Sequence, residues 1–299
     1  MNITKKELTV MKNLFSVSLV AILLVITSCE IPDDLNDNPN EITLSDIDAR
    51  LFLNGAQLAN TLVQCGHLNR ISGMYSGQLT GFTSLYSNIY GYSLSTVESN
   101  DEWNLVYTGV ITNTRHIRET APNDNLLVGI SKIMEAYAVG TMAILMGDVP
   151  YSEIGGEIDD PAFDSQVSVL NSLSSLLDEG ISDLNSATSI SEVYDIYFGG
   201  DKDNWIAAAY TLKARYALVQ KDYSGALSAA NNGISSSDGD LLHIPRGDAS
   251  VNAGDKNLFN TILAGSRTGD LGTGNSYLMQ LLNDSTDVYR GNDKTNETA

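Results

Sequence analysis

The chain has 299 residues, 42% of them hydrophobic, and carries 17 Lys and Arg against 37 Asp and Glu, a formal charge of -20. That length can bury about three quarters of the surface an unfolded chain exposes, which excludes a disordered polypeptide. Two cysteines are too few for a disulfide-stapled fold, and the acidic balance excludes a non-specific nucleic-acid binder, because neutralising phosphates requires Lys and Arg.

Lys5, Lys6 and Lys12 precede an apolar, charge-free run from Leu14 to Ile26. The run is too short to cross a hydrocarbon core of about 30 Å as a helix, but it has the length of the apolar part of a signal peptide. It ends in Ile26-Thr27-Ser28-Cys29, an aliphatic and two small residues before a cysteine, which resembles the lipobox of bacterial lipoproteins. In that reading residues 1–28 are removed and Cys29 is lipidated, so the anchor is acyl chain and not a spanning helix. Glu30-Ile31-Pro32-Asp33-Asp34 then resembles the acidic surface-export tether of Bacteroidetes lipoproteins. Residues 29–44 are read as tether and 45–299 as one domain. With Cys29 acylated, Cys65 has no disulfide partner and is expected to be a small buried apolar residue.

Apolar spacing predicts a first helix over 45–64, with Leu51, Phe52, Gln57 to Ala59, Leu62 and Val63 on its buried stripe. Residues 69–100 are dense in Gly, Ser, Thr and Tyr and read as long and partly irregular. A second helix follows over 101–119 with Trp103, Tyr107, Val110 and Ile117 at spacings of three and four. A third is the clearest: Leu127, Ile130, Met134, Tyr137, Met142 and Leu145 line one face, and Gly147 with Pro150 stops it. Asp164 or Ser165 can cap a fourth, with Leu170, Leu173, Leu177, Ile181 and Leu184 as its stripe. A fifth begins near Asp203, and a sixth runs from Tyr223 to Ile234 with a small-residue face at Ala226, Ala229 and Ala230, the pattern of a tetratricopeptide helix pair. One further helix is expected over 276–283. The periodicity therefore makes the fold class mostly α.

Chemistry is sparse. His67, His116 and His243 stand apart, with no zinc spacing, no nucleophile elbow and no phosphate-cradling glycine loop. Asp148 with Glu153, or Asp159 with Asp160, would be the carboxylate pairs of a hydrolase, though a solvated acidic loop explains them as well. Asp238-Gly239-Asp240 offers hard oxygen ligands for calcium but lacks the rest of an EF-hand loop, so no cofactor is expected. One stretch has a binding rationale: Tyr75, Phe82, Tyr86, Tyr90 and Tyr92, interleaved with amides such as Asn88. An exposed ring offers a flat face to the C–H face of a sugar, and amides match hydroxyls. Tyr75, Tyr86, Asn88, Tyr90 and Tyr92 are the candidate ligand-binding residues. The alternative is that these rings pack beneath a loop. Trp103 and Trp205 sit on helical stripes and read as core.

Met146-Gly147-Asp148-Val149-Pro150-Tyr151-Ser152-Glu153, after a long apolar helix, resembles a motif of the SusD/RagB family of outer-membrane lipoproteins, with Met146 where the family carries an aromatic residue. Trp103-Asn104-Leu105-Val106-Tyr107 resembles that family's tryptophan helix, Phe163-Asp164-Ser165-Gln166 its entry to the next helix, and Trp205 with Leu212-Lys213-Ala214-Arg215 a later one. The resemblance implies a mostly α fold of irregular tetratricopeptide-like helix pairs with long loops that carry the ligand site, and a non-catalytic, cell-surface binder of oligosaccharide or peptide. It also implies a partner, a SusC-type TonB-dependent transporter over which such lipoproteins act as a hinged lid. Family chains run longer, so the resemblance further implies a domain incomplete at its C-terminus. A helical scaffold without a small ligand is the competing reading.

Overall fold

The computed structural model describes residues 43–156, 158–188, 194–245, 247 and 256–283; the expected signal segment, Cys29 and nearly all of the expected tether lie outside the described residues. Contacts divide the chain into residues 1–46 and 47–299. In the first unit Leu44–Asp46 forms a single 3-10 turn, and Thr43 donates from both its backbone and its hydroxyl to the Asp46 carboxylate. Everything below concerns the second unit.

Its elements are helix α1 (Ala49–Cys65), α2 (His67–Tyr75), β1 (Thr80–Gly81), α3 (Ser84–Tyr90), α4 (Asn100–Asn104), a π-helical segment (Leu105–Ile111), α5 (Thr112–Thr120), α6 (Asn125–Met146), β2 (Val149–Pro150), β3 (Phe163–Asp164), α7 (Gln166–Ser186), α8 (Lys202–Val219), α9 (Tyr223–Ala230), α10 (Leu258–Thr261), a second π segment (Ile262–Ser266), β4 (Leu271–Gly272) and α11 (Tyr277–Leu282). The fold is mostly helical, as the periodicity predicts. Side-chain oxygens of Asp48, Asp124, Ser165, Asp201, Asp222 and Ser276 accept backbone N–H groups at the starts of α1, α6, α7, α8, α9 and α11. Each satisfies donors that the first helical turn leaves without partners. Of the two expected caps for α7, Ser165 serves and Asp164 is used elsewhere.

The core is organised around α6. By length and composition it could cross a membrane, yet 83% of its most apolar window is buried by the fold. The one-face stripe expected for it is too narrow: Val128, Ile133, Ala136, Val139 and Ala143 are buried as well, while Leu145 is exposed. The reason is that α1, the π segment, α5, α7 and α8 surround it. Glycine permits the closest of these approaches. A Cβ on Gly129 would meet the Leu184 side chain at 2.7 Å, and one on Gly140 would lie 2.2 Å from the hydroxyl of Tyr216, which donates to the Ala136 carbonyl at 2.6 Å.

On α1 the expected stripe is partly inverted. Leu51, Leu58 and Leu62 are exposed; Gln57 is buried as expected, and Asn60 and Thr61, outside the expected stripe, are buried too. The polar residues are inside because their partners are. Gln57 donates to Asp195 at 2.6 Å and accepts from the Ile196 N–H, and Thr61 and Asn60 meet the hydroxyl of Tyr197. Asp195 also accepts the indole N–H of the fully buried Trp205 at 2.7 Å and the backbone N–H of Tyr197 and Gly200. Cys65, expected to be buried, is exposed, because it continues the outward face of Leu58 and Leu62; partial burial still pushes its thiol pKa up.

A second, smaller core holds Met74, Tyr86, Ile89 and Leu271, with Ile71, Leu79, Leu85, Ile262 and Leu263 packed against it. It joins α2, β1 and α3 to the segment from Leu258 to Leu282 through the antiparallel pair Thr80↔Gly272 and Gly81↔Leu271. The stretch over 69–100 is thus more helical than its composition suggests. Ile71 and Met74, and then Leu85, Tyr86 and Ile89, form two short amphipathic faces that Gly and Ser obscure.

Candidate functional site

The segment that follows α6 is a clasp. Gly147 ends the helix with φ of 90°, a conformation that costs a glycine little. Val149 and Pro150 pair antiparallel with Asp164 and Phe163. Asp148 accepts the Gln166 N–H at 2.9 Å, so it reinforces the start of α7. Asp164 reaches back to accept the N–H groups of Tyr151 and Ser152 at 2.9 and 2.7 Å and the Ser152 hydroxyl at 2.8 Å; the Ser152 N–H leads the bonds that hold its carboxyl below the usual range. Glu153 accepts the Ala162 N–H at 2.8 Å. Asp148 and Glu153, considered as a hydrolase pair, are each engaged by backbone N–H groups.

Glu135 of α6 anchors the clasp from below. It is 1% exposed and accepts from Thr114, Arg115, Arg118 and the hydroxyl of Tyr151. Arg115 also donates to the Ile154 carbonyl. Burial and the neighbouring carboxylate push the Tyr151 hydroxyl far above its ordinary pKa, so it stays a donor.

A groove of about 300 Å³ opens above the clasp, lined by Trp103, Tyr107, Pro150, Ile154, Gly155, Ile158, Pro161 and Phe163. Trp103 and Tyr107 stack with centroids 5.6 Å apart, and Phe163 meets Trp103 edge-on at 6.4 Å. Tyr107 lies in the π segment, where its carbonyl accepts the Thr112 hydroxyl, five residues on. Trp103, read as core, is only half-buried and forms a wall of this groove. The i, i+4 spacing of Trp103 and Tyr107 was the signal; the third ring, Phe163, comes from 60 residues away by the β2–β3 pairing.

The candidate tyrosines divide. Tyr86 is 1% exposed, at the heart of the smaller core with Arg267 over its ring, so it presents no face to solvent. Tyr75, Asn88, Tyr90 and Tyr92 are exposed. Tyr75 and Tyr92 form one platform, with centroids 5.1 Å apart and planes within 15° of parallel. Tyr92 is 77% exposed and its backbone has φ of 60°, a left-handed conformation unusual for a bulky residue. The loop that carries it is fastened behind: Glu98 pairs with His67 at 3.4 Å and accepts from Ser95, and Ser99 accepts the Trp103 indole N–H at 3.2 Å. Burial, with Tyr92 alongside, raises the pKa of Tyr75. Among the described residues no cluster of three or more His, Cys, Asp or Glu is placed to hold a metal ion.

Stacked helix hairpins that carry exposed aromatic surfaces make up the described part of the fold. Residues 39–287 match the model of the SusD-like family described as starch-binding and associating with the outer membrane, and the chain belongs to that family. Among solved structures it is similar to a SusD/RagB family protein from Bacteroides thetaiotaomicron (21% identity, TM-score 0.68, covering 78% of this chain and 51% of that one). It is also similar to a SusD homologue from the same organism (18%, 0.57, 79% and 50%) and to a chitin-binding protein (26%, 0.54, 66% and 46%). The chain thus spans about half the length of these structures. No curated protein matches it significantly in sequence.

Proposed function

We propose that this chain is a non-catalytic glycan-binding lipoprotein of the outer-membrane surface, held by acyl chains on Cys29, which seats an oligosaccharide on the Tyr75–Tyr92 platform and passes it to a SusC-type TonB-dependent transporter. The observation that carries the reading is the stacked, exposed pair itself. A left-handed backbone at a tyrosine costs roughly 1–2 kcal/mol, and such strain concentrates at ligand-contacting sites. It is maintained here to present a flat apolar face, with the Asn88 amide exposed on the neighbouring helix. Sugar rings match such a surface through their C–H faces. Family membership and the chitin-binding neighbour support a glycan over a peptide.

Calorimetric titration with chito-oligosaccharides, malto-oligosaccharides and control peptides tests it. Saturable binding of one glycan series is expected, and Tyr75→Ala combined with Tyr92→Ala should weaken it about thirtyfold, at roughly 1 kcal/mol per lost ring contact. Undiminished affinity in that variant refutes the site, and turnover of the glycan refutes the non-catalytic assignment. Radiolabelled palmitate should enter the wild type and not Cys29→Ala.

A further inference from the structure

We propose that the Trp103–Tyr107–Phe163 groove is a protein-docking site, and that its occupant is an apolar side chain carried between basic residues of a partner polypeptide. The proposal stands apart from the glycan reading. The walls are aromatic, aliphatic and prolyl, and the two polar atoms that their rings bring are already engaged inside the protein. The Tyr107 hydroxyl donates to the Pro150 carbonyl at 2.8 Å and the Trp103 indole N–H to Ser99. A sugar placed against these walls would lose water from most of its hydroxyls and find few partners in return, a cost that an aliphatic or aromatic side chain does not incur. Phe163 is 66% exposed and Ile158 is also exposed, so the apolar surface is open to a visitor.

The rim supplies the second half of the specificity. Asp159 and Asp160 lie between the lining residues Ile158 and Pro161, are exposed, and make no ion pair among the described residues. Arg115, the cation that reaches this loop, is held by Glu135 and the Ile154 carbonyl. An apolar slot with an uncompensated negative rim is complementary to Lys or Arg flanking a Leu or Phe, and opposes acidic flanks.

The test is titration with capped tetrapeptides that carry a central Leu-Phe flanked by Lys, Ser or Glu, read by tryptophan emission. The chain has two tryptophans and Trp205 is fully buried, so a change reports Trp103. Saturable binding in the order Lys, Ser, Glu is expected, with at least about fivefold between the extremes at low salt and near equality at 1 M salt. Phe163→Ala should weaken the Lys peptide about tenfold with an unchanged circular dichroism spectrum. Asp159→Asn with Asp160→Asn should abolish the charge preference and keep the apolar binding. The Tyr75→Ala/Tyr92→Ala variant should bind the peptide normally, which separates this groove from the glycan platform. Equal affinity for all three peptides, no emission change with any of them, or displacement of the peptide by triacetylchitotriose overturns the proposal.

Discussion

Replacing Glu135 by glutamine keeps the shape of the side chain while removing its charge, so it isolates what the carboxylate holds in place. The wild-type group is buried and accepts from Thr114 at 3.2 Å, Arg115 at 3.3 Å, Arg118 and Tyr151 at 3.1 Å. In Glu135→Gln the amide oxygen keeps one pair of those donors while the NH₂ faces the other pair, and two guanidinium groups lose their counter-charge. Breaking a buried ion pair from one side costs about 3–5 kcal/mol. The Arg115 and Arg118 side chains are 33% and 21% exposed, so water recovers part of that, and a loss of about 3 kcal/mol is expected. For a domain of this size each kcal/mol shifts the melting temperature by roughly 2–4 °C, which gives a fall of about 6–12 °C in far-UV circular dichroism. Hydrogen exchange should quicken at Tyr151 and Ser152, which the cluster supports. Replacing Arg115, Arg118 and Glu135 together by methionine should restore most of the loss, since an apolar set carries no desolvation penalty. A fall of less than about 2 °C in the glutamine variant, or unchanged exchange in the clasp, refutes the assignment of Glu135 as its anchor.

The close approach of α6 and α8 makes Gly140→Ala costly, by about 2–3 kcal/mol in urea unfolding, because the new methyl would overlap Tyr216; in a Tyr216→Leu background the same change should cost less than half as much. Burial raises the pKa of Glu102, so the folded protein holds that proton more tightly than the unfolded chain does. The group's contribution to stability therefore declines as pH rises above the ordinary glutamate range, and Glu102→Gln should melt higher than wild type at about pH 7 and equally at about pH 4, as differential scanning calorimetry would show.

Helix α6 was legible because its apolar spacing and its Gly147 stop are both local. The same holds for Ser165 at the start of α7 and Ser276 before α11. What misled were residues whose environment is set far along the chain. Thr61 is inside because the Tyr197 hydroxyl, 136 positions away, is its partner, and no helical period contains that information. Tyr86 shares a composition with Tyr90 and Tyr92, but β4 arrives from residue 271 to cover it. The platform was legible as a tyrosine-rich stretch and not as a pair, since the contact of Tyr75 with Tyr92 depends on a left-handed turn at a residue that rarely adopts one.

The pairing of Val149 and Pro150 with Asp164 and Phe163 closes the neck of the loop over 151–162, and the carboxylate exchange between its two ends locks that neck. Substitutions or insertions near its tip therefore have little leverage on the helices below, because both ends are tied to the frame before the excursion begins. Such a cassette can be lengthened, shortened or recharged while α6 and α7 stay in place.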